Sequence, residues 1–134
     1  MFSFIIISNL DSISNEVLSA ISEIGKIRKE AGGRLIVESS EGMKNGWLAF
    51  QSIKDAQCDY ESDELEKIKQ IINNPSFYLI EGRNGAVNFS NTFIQKLSTP
   101  DRVLIDNDHG MIADLIKVKE KIKLGEDWLH SSSS

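Results

Sequence analysis

Two carboxylates and an imidazole, from Asp106, Asp108 and His109, follow directly after the apolar run Val103–Ile105. An Asp-x-Asp pair at the end of a hydrophobic strand suits phosphoryl transfer, with one Asp as nucleophile and the other handling protons. Only 24 residues follow Gly110, too few to supply the rest of such an enzyme. A calcium loop beginning at Asp106 would need glycine and glutamate where Met111 and Lys117 stand.

A transition metal held by Asp106, Asp108 and His109, with His130 as a distant helper, is the remaining chemical interpretation of this run. Neighbouring side chains of an extended chain point in opposite directions, so the three would converge only in a tight turn. The structural alternative is a strand-ending turn in which Asp and Asn side chains bond local backbone amides and Gly110 supplies a positive φ. The residue types favour the turn.

A second polar feature is the segment 55–66, which holds six acids in twelve residues and no Lys or Arg. Acids at the start of a helix interact favourably with the helix dipole. This accounts well for Asp63, Glu64 and Glu66. It accounts less well for Asp55, Asp59 and Glu61. A negative surface beside an aromatic ring could recognise a basic partner. The residues concerned are Asp55, Asp59, Tyr60, Glu61, Asp63, Glu64 and Glu66.

Composition limits the classes of partner. The chain has 134 residues, 15 Lys+Arg against 20 Asp+Glu, and a formal net charge of −5. Because neutralising phosphates requires a basic surface, this balance argues against direct nucleic-acid binding and against attachment to anionic lipid. We therefore expect neither a nucleic acid nor a membrane as partner. The oligomeric state stays open.

The single Cys58 cannot form an intramolecular disulfide, which favours a cytoplasmic location. The apolar N-terminal run is too short for a signal-peptide core and is not preceded by Lys or Arg. The length suits one domain over residues 1–130. Ser131–Ser134 is expected to be a disordered tail.

Hydrophobic patterning predicts a fold of the α+β class. A sheet of about five strands, mixed or mainly antiparallel, is expected with three to four packed helices. The predicted strands are Phe2–Ile7, Arg34–Glu38, Trp47–Gln51, Phe77–Ile80 and Arg102–Ile105.

Helical spacing of apolar residues predicts the helices, of which the first starts near Asp11 or Ser12 and ends near Gly25. A second begins at Ser62 or Asp63, and Asp114 caps the last, which Gly125 closes. Between them, Phe89, Phe93 and Leu97 favour a helix, although the Asn84-Gly85 pair is also a hairpin signal.

The last third of the chain resembles small bacterial immunity proteins of toxin–immunity systems, of the contact-dependent growth-inhibition type. The resemblance covers residues 102–129 and lies in two motifs, Val103–Gly110 (VLIDNDHG) and Lys121–Leu129 (KIKLGEDWL). It implies a cytosolic protein without enzymatic activity that binds one cognate toxin domain. Many such toxins are nucleases with basic clefts. The resemblance supplies no catalytic residues, and the motif residues could serve folding.

We therefore expect an acidic surface that binds a basic toxin domain, with no cofactor and no metal. The predicted partner contacts are Asp55, Asp59, Tyr60, Glu61, Asp63, Glu64, Asp106 and Asp108. The rival hypothesis is a small metal-dependent hydrolase that uses Asp106, Asp108 and His109.

Overall fold

The fold is described from a computed structural model, in which residues 1–9, 13–39, 46–53, 60–98 and 102–130 are placed. Seven strands and four helices lie within these ranges. The strands are β1 (Phe2–Asn9), β2 (Gly25–Lys29), β3 (Leu35–Ser39), β4 (Trp47–Ile53), β5 (Pro75–Gly82), β6 (Leu104–Asp106) and β7 (Ile112–Asp114). The helices are α1 (Ile13–Ile24), α2 (Ser62–Ile71), α3 (Val87–Lys96) and α4 (Leu115–Lys123).

The seven strands form one sheet in the order β2-β3-β4-β5-β1-β6-β7, and every neighbouring pair is antiparallel. The longest pairing joins β1 to β5 over eight residues, from Phe2 opposite Gly82 to Asn9 opposite Pro75. Sheet and helices together confirm the predicted α+β class. The predicted count of five strands is wrong, because β2 and β7 were not anticipated.

Strand β1 lies inside the sheet, between β5 and β6, and is apolar on both sides. Phe4 and Ile6 point to one face of the sheet, whereas Ile5 and Ile7 point to the other. A strand that is buried on both faces needs an unbroken apolar sequence, which explains the run that opens the chain. The sheet must therefore be covered on two sides.

The helices divide unequally between the two faces. Helices α1, α3 and α4 pack on the face of Phe4 and Ile6, where they build the larger core with Trp128. Helix α2 packs on the opposite face, where Ile68 joins Ile7 in a smaller cluster. The second face is therefore covered by one described helix, which leaves room beside it.

Strand β2 begins where the sequence predicts only the end of a helix. Helix α1 passes directly into it at Gly25, which pairs with Ser39 of β3. A Cβ at Gly25 would overlap the main-chain oxygen of Glu38, so the two backbones approach more closely here than a side chain allows. This contact lets the chain change from helix to strand without a loop.

Other predictions at the element level have mixed outcomes. The helical interpretation of residues near Phe89 and Phe93 is confirmed by α3. Gly125 does close α4, with φ +73 and a hydrogen bond from the Glu126 N–H to the Lys121 carbonyl, as in a Schellman motif. Trp128 is buried in the core. Asp55, Asp59 and the tail Ser131–Ser134 lie outside the described residues.

No described helix is both long enough and apolar enough to cross a membrane.

Replacing Gly25 with alanine should destabilise the protein by about 2 to 3 kcal/mol, because β2 and β3 must separate to admit the methyl group. Urea unfolding of Gly25→Ala against the parent protein measures this difference. The control is Lys26→Ala, an exposed neighbour that should change the free energy of unfolding by less than about 0.5 kcal/mol. Equal stability of the two variants would contradict the close-approach explanation.

Candidate functional site

A groove of about 620 Å³ lies between α2 and the segment that runs from β6 through β7 into α4. Leu104, Ile112, Ile68 and Ile71 give it an apolar lining, and charged residues complete its walls. The charged lining residues are Glu64, Lys67, Asp106, Asp108, Asp114 and Lys117, and the remaining ones are Tyr60, Gly110 and Ala113.

The two polar features of the sequence meet in this groove through one hydrogen bond. The Tyr60 hydroxyl donates to Oδ2 of Asp106 at 2.7 Å, across 46 positions of sequence. The Tyr60 ring packs on Phe77 of β5 with 5.4 Å between ring centroids, which fixes the ring over the sheet. The start of α2 is thereby tied to the end of β6.

The surroundings of Tyr60 are negative. Burial and the hydrogen bond to Asp106 raise the pKa of its phenol far above the usual 10.0, and the charges of Asp106, Glu64 and Asp108 add to the rise. Tyr60 therefore stays protonated at neutral pH and acts as a hydrogen-bond donor.

The run 106–110 is a tight turn built by its own side chains. Oδ1 of Asp106 accepts the N–H of Asp108 at 2.9 Å, and Oδ1 of Asn107 accepts the N–H groups of His109 at 2.9 Å and Met111 at 3.0 Å. Asp108 and Gly110 have positive φ values of 61° and 96°. The turn interpretation is thus confirmed, including the role of Gly110.

Asn107, buried within this turn, also holds the end of the chain. Its Nδ2 donates to the main-chain oxygen of Trp128 at 2.8 Å, while the indole Nε1 of Trp128 donates to Asn91 at 2.7 Å. The Trp128 ring meets Phe4 edge-on at 5.1 Å between centroids. The most conspicuous polar motif of the sequence is therefore, at its centre, a structural one.

Acidic residues outnumber basic residues in the lining of the groove. Four lining residues are acidic and two, Lys67 and Lys117, are basic. Asp114 is paired with Arg102, whose Nε and Nη2 lie 2.8 and 3.0 Å from its two carboxylate oxygens. This hydrogen bonding to Arg102 holds the pKa of Asp114 below its usual value. Glu64 and Asp108 are exposed, and no ion pair to either is present among the described residues.

The predicted partner contacts fall into three groups. Tyr60, Glu64, Asp106 and Asp108 line the groove together. Glu61 and Asp63 lie exposed at the beginning of α2 and are not among the lining residues. Asp55 and Asp59 are not among the described residues. Two stretches that lie far apart in the sequence thus contribute to one surface.

Sequence reasoning missed the apolar part of this surface and its two basic residues, Lys67 and Lys117. Ile71, which is 39% exposed, lies beside the buried stripe of α2, and Ile112 lies on the unanticipated strand β7. The signal at Ile71 was its position next to Ile68 and Ile72 in an otherwise charged helix.

Of the donor groups proposed for a metal, the carboxylate of Asp106 is engaged in hydrogen bonds within the protein. Both carboxylate oxygens of Asp106 accept hydrogen bonds, from Asp108 and from Tyr60. The His109 ring lies beside that of His130, at 5.1 Å between centroids, and Nδ1 of His130 is 3.1 Å from Asp127. Within the described ranges, no group of three or more His, Cys, Asp or Glu residues is arranged to hold a metal ion.

Comparisons with protein-family models, with curated proteins and with solved structures found no match.

Removing the Asn107 side chain should cost about 3 kcal/mol of stability, because Asn107→Ala takes the hydrogen-bond partner from the buried Met111 amide, the partly buried His109 amide and the buried Trp128 carbonyl. Chemical denaturation of Asn107→Ala measures the loss. Asn88→Ala, at an exposed position of α3, is the control and should stay within about 0.5 kcal/mol of the parent. A loss below about 1 kcal/mol would show that the turn does not depend on this side chain.

Tyr60 should make the folded state sensitive to alkaline pH. Its pKa is raised on folding, so its stabilising contribution is complete below pH 10 and declines as the pH rises from there towards the folded-state pKa. The free energies of unfolding of the parent protein and of Tyr60→Phe should be compared between about pH 8 and about pH 11, because this interval brackets the ordinary tyrosine pKa. The variant should lose less stability over that interval.

Tyr78→Phe serves as the matched control, because burial alone raises the pKa of Tyr78, which has no carboxylate partner in the described part of the chain. Tyr60→Phe should reduce the alkaline loss of stability more than Tyr78→Phe does, because the Asp106 hydrogen bond adds to the effect of burial at Tyr60 only. Equal reductions in the two variants would mean that the Tyr60–Asp106 hydrogen bond does not contribute in solution.

Proposed function

We propose that this chain is an immunity protein, which binds a cognate bacterial toxin domain through the groove between α2 and β7 and neutralises it. The observation that carries the proposal is the convergence of Tyr60, Glu64, Asp106 and Asp108 on one concave surface with exposed apolar residues. A concave surface with an apolar floor and polar walls is typical of binding sites. The motif resemblance supplies the class of partner.

Charge supports a basic partner. Glu64 and Asp108 are exposed on the groove, Asp106 contributes a third carboxylate, and the net charge of −5 repels anions at longer range. A protein with a basic cleft, such as a nuclease that binds phosphate, has the complementary sign. The acidic groove then covers or neighbours that cleft and denies it to nucleic acid.

The apolar residues support a partner that stays bound. Exposed carboxylates mainly accelerate encounter, whereas slow release requires apolar area that is removed from water. Ile71 and Ile112 offer such area inside the groove. A cytoplasmic location is part of this proposal, because a nuclease toxin acts where the nucleic acid is.

The test is protection against the C-terminal domain of the large secreted protein that we expect to be encoded beside this chain. Co-production with that domain should restore growth, and the purified proteins should form a complex. In Glu64→Lys/Asp108→Lys, protection should fail and association should slow at least tenfold, with weaker dependence on salt (tenfold is about 1.4 kcal/mol).

The control is Glu23→Lys/Glu126→Lys, which makes the same change of net charge at exposed positions outside the groove. It should keep protection and most of the association rate. Reversal at Glu61 and Asp63 measures how far the contact extends along α2. Equal losses in the groove variant and the control would contradict this choice of surface, and no complex with the parent protein would contradict the proposed function.

A further inference from the structure

Strand β7 is an end strand of the sheet, and β6 is its one neighbour among the described strands. The N–H of Asn107 donates to the carbonyl of Met111 at 3.0 Å, and the N–H of Leu115 donates to that of Val103 at 2.9 Å. In an antiparallel ladder, hydrogen-bonded residue pairs alternate with pairs that are not bonded to each other.

The register then decides which groups of β7 face outward. Ala113, opposite Ile105, falls in a hydrogen-bonded pair. The pairs Ile112–Asp106 and Asp114–Leu104 are the ones whose members are not hydrogen-bonded to each other. The main-chain N–H and C=O groups of Ile112 and the N–H of Asp114 therefore point away from β6, towards the edge that no described strand covers, whereas the C=O of Asp114 belongs to α4, of which Asp114 is the N-cap.

This edge opens into the groove. Ala113 lines the groove although its side chain is buried in the larger core on the other face of the sheet, so its main chain is what faces the groove. The side chains of Ile112 and Asp114 lie on the face that α2 covers, as does that of Leu104. Outward-facing main-chain groups and side chains that can contact a ligand therefore lie together at the β7 side of the groove.

The two ends of the sheet differ in how they are protected. Strand β2, at the far end, has exposed Lys26, Arg28 and Lys29 among its five residues, a common defence of edge strands against pairing. Strand β7 carries neither Lys nor Pro, and the charge of Asp114 is paired with Arg102. The defence is missing at the edge that borders the groove.

We propose that the partner contributes an extended segment that pairs with β7 and extends the sheet by one strand. This inference rests on the proposed function and names its binding mode. Main-chain hydrogen bonds to Ile112 and Asp114 would give affinity, and alternate side chains would enter the groove. The lining selects a basic and an apolar side chain two residues apart, the former against Glu64 and Asp108, the latter against Ile71 and Ile112.

Asp114 allows a test that leaves the fold unchanged. Its φ is −62°, the value that proline imposes, and Ala113 before it is already extended, as a residue before proline must be. Its N–H takes no part in the pairing with β6. Asp114→Pro therefore removes an outward N–H and places a ring at the edge, at no cost to the β6–β7 ladder.

The experiment compares Asp114→Pro with Asp114→Ala in binding to the purified toxin domain by calorimetry. Both variants lose the ion pair with Arg102, and only the proline variant loses the N–H. The dissociation constant of Asp114→Pro should exceed that of Asp114→Ala by about tenfold or more, because a buried partner group is left unpaired. Unfolding curves of the two variants verify that both are folded.

Hydrogen exchange in the parent protein gives a second measurement that needs no variant. In the free protein the Ala113 amide should exchange slowly, and those of Ile112 and Asp114 quickly. In the complex, all three should exchange slowly.

Equal affinities of the two variants, with Ile112 and Asp114 still exchanging quickly in a complex that forms, would overturn strand pairing and leave the proposed function standing. Absence of any complex would overturn both. Slow exchange of Ile112 and Asp114 in the protein alone would mean that a second copy occupies the edge, which also contradicts the inference.

Discussion

The two-sided burial of β1 is the constraint on which the rest of the structure depends. Phe4 and Ile6 require cover on one face of the sheet and Ile5 and Ile7 on the other, because each exposed side chain of this size would forgo about 1.5 to 3 kcal/mol. Three helices meet the first demand and α2 meets the second. One helix covers less of a seven-stranded sheet than three do, so a groove remains beside α2 at the β7 edge.

The polar run 106–110 shows how a chemically suggestive sequence can serve the fold. Asn107 uses its carbonyl oxygen on two amides of the turn and its amide group on the chain end at Trp128. Both motifs of the immunity-protein resemblance meet at this contact, since Asn107 belongs to one and Trp128 to the other. The residues that flank Asn107, Asp106 and Asp108, line the groove, and the proposed function assigns them to binding.

The sequence predicts the class of the fold and most of its elements, because the unbroken apolar run of β1 and the helical spacing of apolar residues in the helices are local signals. It fails at β2 and β7 for identifiable reasons. Strand β2 follows α1 without a loop and its side chains are mostly exposed, so neither a turn nor an apolar alternation marks it. Strand β7 has three residues, fewer than a periodicity can define.

The groove is harder to predict than the elements that form it. Its acids are visible in the sequence, but their meeting depends on the hydrogen bond between Tyr60 and Asp106, 46 positions apart. Nothing local to either residue indicates the other. The apolar lining is equally hidden, since Ile71 has the sequence neighbours of a core residue and is 39% exposed where α2 is the one described helix on its face of the sheet.

In the proposed complex, the surface combines interactions of different range that contribute differently to binding. Carboxylates at Glu64 and Asp108 act over about one Debye length, roughly 8 Å at physiological ionic strength, and so govern how often a basic partner arrives in the correct orientation. Apolar contacts at Ile71 and strand pairing at β7 act only at contact distance, and they determine how long the partner stays bound. A purely acidic patch would attract any cation and release it quickly. In the proposed complex, the β7 edge, which no described strand covers, lies next to that patch and restricts lasting contact to partners that bring the matching charge and an extended segment together.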